Sequence, residues 1–315
     1  MVKFSPLLLN RYRELLPQKE DFDSFCHVSK TYWPKTLRVN TLKATPEWVR
    51  ERLNHRKVLF EQIEGHPHTF FLKDVSRAGL IGSWWEVQAG FFHPQEWASQ
   101  LPSYVLNPQP GEMVLDMAAA PGNKTIQLAS HMNNTGSILA VEPNKARAKA
   151  LRFMLSRGGV INTAIALEDA STLSFSHSFF DKVLLDAPCS GEGLLRKKPQ
   201  TLKSWSEKYV QHKARLQEKL LLKAADLVRP GGKILYSVCT LSPEECEGVI
   251  THLLRERSDF SLLPITIPHF STRPGLTVFR NRTFADGMEK VVRIYPQDSN
   301  TQSFFMAFLL REGKK

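Results

Sequence analysis

The sequence predicts an α/β fold with a doubly wound, mostly parallel sheet, preceded by a smaller α+β domain. Three observations carry this expectation. From residue 113 onward, short apolar runs alternate with amphipathic stretches of helical length. Several of those runs end in an acid or a cysteine, where an open α/β sheet presents its ligand-binding edge. The chain before about residue 80 is instead broken by Pro6, Pro17, Pro34, Pro46 and Pro67. The expected division is a small domain over 1–83 and a larger one over 84–315.

In the first part, Thr36 to Leu42 reads as a strand and Thr69 to Lys73 as another. Between them, Thr45 is a helix N-cap and Pro46 fits the first helical position, where its missing N–H has no partner to lose. That helix is expected to run through Leu53. The aromatic segment from Trp84 to Leu106 reads as the hinge and first helix of the larger domain; Trp84, Trp85, Phe91 and Phe92 read better as core than as base-stacking surface. The larger domain is expected to alternate strands at 113–117, 137–142, 161–166, 182–186 and 233–238 with helices at 125–131, 146–157, 213–228 and 244–255. Gly158-Gly159 closes the second helix and Arg229-Pro230-Gly231-Gly232 the third. Late strands at 289–295 and 303–310 complete the sheet.

Composition narrows the class. The 315 residues are 42% hydrophobic and 23% charged, as in an ordinary globular protein. No apolar run approaches the ~18–20 residues of a membrane span, and Leu7-Leu8-Leu9 is too short for a signal peptide core. Cys26, Cys189, Cys239 and Cys246 form no disulfide framework and no CxxC metal spacing. A cytoplasmic protein without a bound metal is expected. The 42 Lys and Arg against 31 Asp and Glu leave a formal charge of +11, which favours a polyanionic partner. Lys35, Arg38, Lys43, Arg50, Arg52, Arg56 and Lys57 crowd the small domain.

The strand ends carry the candidate chemistry. Asp116 leads into Ala118-Ala119-Ala120-Pro121-Gly122-Asn123-Lys124-Thr125, small residues that let backbone approach a ligand just before a helix. This is neither a dinucleotide fingerprint nor a P-loop. The second strand ends in Glu142, suited to two ribose hydroxyls, and the third is followed by Glu168-Asp169, suited to an adenine amino group. Alone, Glu142 reads as a surface charge; in this order the three fit S-adenosylmethionine, which has no pyrophosphate to cradle. The fourth strand ends in Asp186-Ala187-Pro188-Cys189-Ser190-Gly191 and the fifth in Ser237-Val238-Cys239-Thr240. Single cysteines are usually small core residues, and Cys26 and Cys246 read that way. Two thiols on neighbouring strand ends beside a methyl donor point to nucleophilic catalysis on an unreactive carbon such as cytosine C5, made enamine-like by thiolate addition at C6.

The runs Asp186-Ala-Pro-Cys189-Ser-Gly-Glu-Gly, Asp116-Met-Ala-Ala-Ala-Pro-Gly-Asn-Lys-Thr and Tyr236-Ser-Val-Cys239-Thr together resemble the Sun/Nop family of S-adenosylmethionine-dependent RNA cytosine-5 methyltransferases. Leu37-Arg-Val-Asn-Thr-Leu resembles that family's N-terminal RNA-binding segment, Trp85 to Leu101 its entry to the catalytic domain, and Ser303 to Ala307 its closing strand. The resemblance implies a Rossmann-like class I methyltransferase domain. It implies that Ala118, Ala119, Ala120, Pro121, Gly122, Asn123 and Lys124 wrap the cofactor, that Glu142 binds ribose and Asp169 adenine, and that Arg147 neighbours them. Asp186, shared between cofactor and cytosine, is implied to hold the N3/N4 edge, with Lys124 keeping it ionised. Cys239 is implied to be the nucleophile and Cys189 the release group. The chain departs from the pattern at Asn123, where Gly is common, at Val238 in place of Thr, and at Cys246 in place of Asn.

The target base must be single-stranded or flipped out to reach a thiol. A monomer acting on tRNA or rRNA is expected, with Arg196-Lys197-Lys198 either holding flanking phosphates or forming a solvated loop. Two rivals remain: a methyltransferase on a non-RNA acceptor, and a catalytically silent RNA-binding or assembly factor.

Overall fold

The computed structural model describes residues 6–31, 34–75, 79–197 and 205–313. Helices α1 (Pro6–Leu15) and α2 (Lys19–Val28) come first, then β1 (Lys35–Val39), α3 (Pro46–His55), β2 (Leu59–Gln62) and β3 (Thr69–Asp74). Short α4 (Trp85–Gln88), β4 (Phe92–Pro94) and α5 (Leu101–Leu106) lead to β5 (Met113–Asp116), α6 (Asn123–His131), β6 (Ser137–Val141), α7 (Lys145–Gly158), β7 (Thr163–Ala166) and β8 (Phe180–Asp186). The remainder is α8 (Glu207–Leu227), β9 (Val228–Val238), α9 (Glu247–Glu256), β10 (Phe260–Leu263), β11 (Arg273–Pro274), β12 (Val278–Phe279), β13 (Arg282–Thr283), β14 (Val292–Ile294), α10 (Pro296–Ser299) and β15 (Phe304–Arg311).

The chain forms two compact units, Pro34–Leu184 and a discontinuous one made of Met1–Trp33 with Leu185–Lys315. Neither junction coincides with the 83/84 boundary expected from sequence. The reason is packing on both sides of that boundary. Strand β4, past residue 83, pairs with β1, and α1 and α2 bury Leu8, Tyr12 and Phe25 among Leu195, Trp205, Leu241 and Tyr295.

In the Pro34–Leu184 unit, an antiparallel sheet runs in the order β2-β3-β1-β4, with Leu37 opposite Phe70 and Arg38 opposite His93. Helix α3 starts where its cap demands: the Thr45 side chain accepts from the amide of Trp48, and Pro46 occupies the first turn. Its Val49 and Leu53 bury against Leu37, Val39, Trp84 and Phe92, each large side chain contributing about 1.5–3 kcal/mol. Trp84 and Phe92 are therefore core, as expected, whereas Trp85 is 50% exposed.

The same unit holds parallel strands in the order β8-β5-β6-β7. Leu115 lies opposite both Leu139 and Val183, and Leu139 opposite Ala164. Crossover helices α6 and α7 bury Ile126, Leu151 and Leu155 against Ala119, Ala120 and Ala140. This is the α/β architecture read from the alternating pattern. Helix α7 is capped by the Asn144 side chain and ends at Gly159, which takes the left-handed conformation at φ +73°.

In the discontinuous unit, β15 pairs antiparallel with β9, β14 and β10. Phe305 faces Val238, and Ala307 faces Tyr236. Helix α8 is capped by Ser206, whose side chain accepts from Tyr209 N. It ends at Leu227, three residues before Pro230, whose ring nitrogen has no hydrogen to donate. Strand β9 then begins at Val228, earlier than the run from Lys233 expected from sequence. A buried ion pair, Arg293 to Glu247 at 2.6 Å, ties β14 to α9. No helix among the described residues is long and apolar enough to cross a membrane.

Candidate active site

Within the Pro34–Leu184 unit, the carboxyl ends of β5 and β6 bring one group of expected residues together. Ala119 N donates to Val141 O at 3.0 Å, which holds the Ala118–Lys124 loop against the end of β6. Glu142 follows that strand and is 1% exposed. Its Oε1 accepts from Asn144 N at 2.9 Å, and its Oε2 lies 3.2 Å from Arg147. Arg147 also donates to Ala120 O at 2.9 Å. Loop, acid and arginine thus form one connected set. Asp116 is buried and accepts from Thr125 Oγ1 at 2.7 Å, a bond from the end of β5 to the first turn of α6. Asp169 is exposed and caps a short helical turn by accepting from Ser171 N at 2.8 Å. Lys124 donates to Ser99 Oγ at 2.9 Å.

Two local features fit a bound cofactor at this loop. Asn123 Oδ1 is buried with no hydrogen-bond partner among the described residues, an acceptor open to an amino group. Gly122 has φ +114°, and a Cβ there would come within 3.0 Å of Leu151 and 3.3 Å of Met154, so the turn into α6 stays narrow only with glycine.

In the discontinuous unit, the loops after β8 and β9 converge. Cys189 Sγ and Cys239 Sγ are 3.1 Å apart, both half-buried and neither in a disulfide. The Cys239 contact, with burial adding to it, pushes the Cys189 thiol well above its usual range. Either sulfur can be the S–H donor across that contact. The loop's close approach requires glycine at 193. Its N–H donates to Cys239 O at 2.9 Å, and a Cβ there would lie 2.3 Å from Ser303 O and 2.9 Å from Cys239 O. Asp186 accepts from Ser237 Oγ at 2.7 Å, and Ala187 N donates to Ser237 O at 2.9 Å.

Sequence reasoning missed the shell that holds this loop. Glu245 is buried; its Oε1 accepts from Ser190 N at 2.8 Å and Gln217 Nε2 at 2.9 Å. Burial pushes its carboxyl up to about 7. Gln217 also donates to Pro188 O at 3.0 Å, and Ser190 Oγ to Thr240 Oγ1 at 3.2 Å. Glu192, fully buried, accepts from Tyr12 at 3.1 Å, Trp205 at 2.7 Å and Ser242 at 2.6 Å. Glu192 lies in the Asp186 to Gly193 run, but the partners that bury it, Tyr12, Trp205 and Ser242, are distant in sequence.

Of the other expected residues, Cys246 is buried and donates to Thr240 O at 3.6 Å, in keeping with a packing role. Arg52 and Arg56 pair with buried Glu86 at 3.2 and 2.5 Å, and Lys43 caps Ala89 O at 2.5 Å. Arg196 donates to Thr31 and Asn300, both at 2.9 Å; Lys198 lies outside the described residues. Among the described residues, no group of three or more His, Cys, Asp or Glu side chains is placed to hold a metal ion.

A family model described as 16S rRNA methyltransferase RsmB/F matches residues 103–310. A tRNA (cytosine(49)-C(5))-methyltransferase of Pyrococcus abyssi is 36% identical over 311 residues, covering 97% of this chain and 96% of that one. A ribosomal RNA small subunit methyltransferase F of Erwinia tasmaniensis is 36% identical over 313 residues, covering 98% of this chain. The chain spans 63% of that relative's length. A crystal structure of a methyltransferase homolog protein from Pyrococcus horikoshii superposes with a TM-score of 0.86 at 32% identity, covering 99% of this chain and 96% of that one.

Proposed function

This chain belongs to the RsmB/F family of methyltransferases, and on that premise we propose that it methylates C5 of a cytosine in tRNA or rRNA, with S-adenosylmethionine as donor. The observation that carries the proposal is the thiol pair, half-buried and 3.1 Å apart. Core packing alone does not call for two half-buried sulfurs on adjacent strand-end loops. The nearly full-length match to a tRNA cytosine-5 enzyme supports the same reading.

When bound, S-adenosylmethionine supplies a sulfonium methyl group that an electron-rich carbon can take up. The residues to hold it are Ala118 to Lys124 around its methionine and ribose parts, Glu142 on the ribose hydroxyls with Arg147 beside it, and Asp169 on the adenine. Cys239 forms a bond to cytosine C6 as thiolate, which makes C5 nucleophilic. Asp186 holds the N3/N4 edge so that charge arising in the ring is met by a hydrogen bond. After C5 is methylated, its proton passes to solvent water, the electron pair it leaves restores the C5–C6 double bond, and the Cys239–C6 bond breaks with the sulfur leaving as thiolate. Cys189, its sulfur 3.1 Å from that of Cys239, serves that release.

The test is transfer of a labelled methyl group to separate tRNA and rRNA pools, followed by bisulfite mapping. Label in 5-methylcytosine supports the proposal and names the pool. Label in another acceptor, or binding of RNA without transfer, would replace it with one of the two rivals.

A further inference from the structure

The Pro34–Leu184 unit contains a cavity of about 330 Å³ that shares no lining residue with the Ala118–Lys124 loop, Glu142 or Asp169. Its walls come from the end of β1, the turn before β3, the segment leading through α5, and the far end of α6. Its volume lies at the lower edge of the range for small-ligand pockets.

Two buried groups on its wall lack what they need. Arg38 is 3% exposed. Its guanidinium meets the neutral oxygens of Gln95 at 2.7 Å, Asn123 at 3.1 Å and, more loosely, Val39 at 3.4 Å. A guanidinium has five N–H donors, so two are left, and no carboxylate pairs with it among the described residues. Burial without a counter-charge pulls its pKa down to about 9. Gln127 is 8% exposed; its Nε2 donates to Gln100 O at 2.9 Å, while its Oε1 is buried with no donor among the described residues. A ligand that satisfies both presents an anionic or strongly accepting oxygen to Arg38 and an N–H to Gln127. Part of the wall is aromatic: Tyr104 and Trp97 lie 5.0 and 5.9 Å from the His66 ring. Beside them, half-buried His131 is held neutral, its pKa drawn down to about 4 by burial and by Arg38.

We infer that this cavity receives one unpaired nucleotide of the RNA, other than the target cytosine, with its base against Tyr104 and Trp97, its amino or imino N–H on Gln127 and an anionic oxygen on Arg38. A flat π-face, one N–H donor and one negative oxygen within a single small ligand describe a nucleotide, and stacking on aromatic side chains is how proteins usually grip splayed-out single-stranded bases. The inference rests on the RNA reading above. It adds a second anchor point on the RNA, built from residues other than the thiol pair.

The experiment uses the full chain and single-stranded oligoribonucleotides carrying 4-thiouridine at successive positions, irradiated and mapped by mass spectrometry. A cross-link on Trp97, Tyr104 or His66 from one position, with flanking positions silent, is the expected result. Tyr104→Ala is expected to weaken oligonucleotide binding about 10-fold, the loss of one base stack, while S-adenosylmethionine affinity and melting temperature hold. Cross-links confined to other residues, with Tyr104→Ala binding at full strength, would overturn the inference. Saturable binding of free mononucleotide, cleared by Tyr104→Ala and not displaced by oligonucleotide, would also overturn it, because the cavity would then serve a free nucleotide. Methyl transfer to RNA without a wall cross-link sinks this inference alone. A wall cross-link without methyl transfer sinks the activity proposal and leaves the cavity assignment standing.

Discussion

Substitution of Glu142 tests the cofactor site most directly. The carboxylate is 1% exposed, so any bond it makes to a ribose hydroxyl is formed away from competing water. One oxygen already accepts from Asn144 N at 2.9 Å. The other faces Arg147, whose side chain is 59% exposed, so that contact is screened and contributes at most about 1 kcal/mol. Neither oxygen has used all its lone pairs, and a bond to a charged acceptor is worth about 1.5–3 kcal/mol. Glu142→Gln removes the charge but keeps one carbonyl oxygen, and should weaken S-adenosylmethionine binding by about 10-fold. Glu142→Ala removes both acceptors and should cost about 150-fold or more. The alanine variant also strips Asn144 N of its side-chain partner, a stability cost of about 1 kcal/mol, so melting curves must accompany the calorimetry. If both variants fold and bind within about twofold of the wild type, the ribose assignment is wrong.

Three further outcomes are expected. Cys239→Ala should yield neither methyl transfer nor adduct, whereas Cys189→Ala should accumulate a denaturant-resistant protein–RNA complex; the reverse pattern on a denaturing gel would exchange their roles. Glu192→Ala leaves the buried donors of Tyr12, Trp205 and Ser242 without their acceptor, at about 1 kcal/mol each. The melting temperature should fall by roughly 4–5 °C, and a drop under about 1 °C would show that water replaces the carboxylate. Glu245, with its folded pKa raised from 4.5 to about 7, binds a proton in the folded chain that the unfolded chain has lost. Its contribution is therefore fully present below pH 4.5 and declines as pH rises through about 7. Glu245→Gln keeps an acceptor for Ser190 and Gln217 and should flatten that decline in urea unfolding; identical pH profiles for variant and wild type would refute the burial argument.

Local chemistry made much of the fold legible. Thr45 and Pro46 marked the start of α3, and Gly159 the end of α7, because caps are satisfied by neighbours in sequence. Leu115, Leu139 and Leu184 lay in apolar runs long enough for buried strands and too short for helices. Helices α1 and α2 were passed over, although Leu8, Tyr12 and Leu15 have helical spacing and all are buried; the nearby prolines suggested irregular chain. Their burial depends on Leu195, Trp205 and Leu241, far along the sequence, and no local signal announces such a return. The site divides in the same way. The cysteine motifs could be read from their residues, but the 3.1 Å sulfur separation, Gln217 under Pro188 and the unpaired Oε1 of Gln127 arise from tertiary packing.

The discontinuity of one unit has a consequence for synthesis. Helices α1 and α2 leave the ribosome early, yet the side chains that cover Leu8, Tyr12 and Phe25 include Trp205, Leu241 and Tyr295. At about 5–20 residues per second, the interval from Val28 to Tyr295 is roughly 15–55 s. For that time the Pro34–Leu184 unit can fold complete, while two amphipathic helices wait with their apolar faces unburied. A nascent chain stalled in this window would present those faces to chaperones, and slowing translation past residue 185 would prolong the exposure.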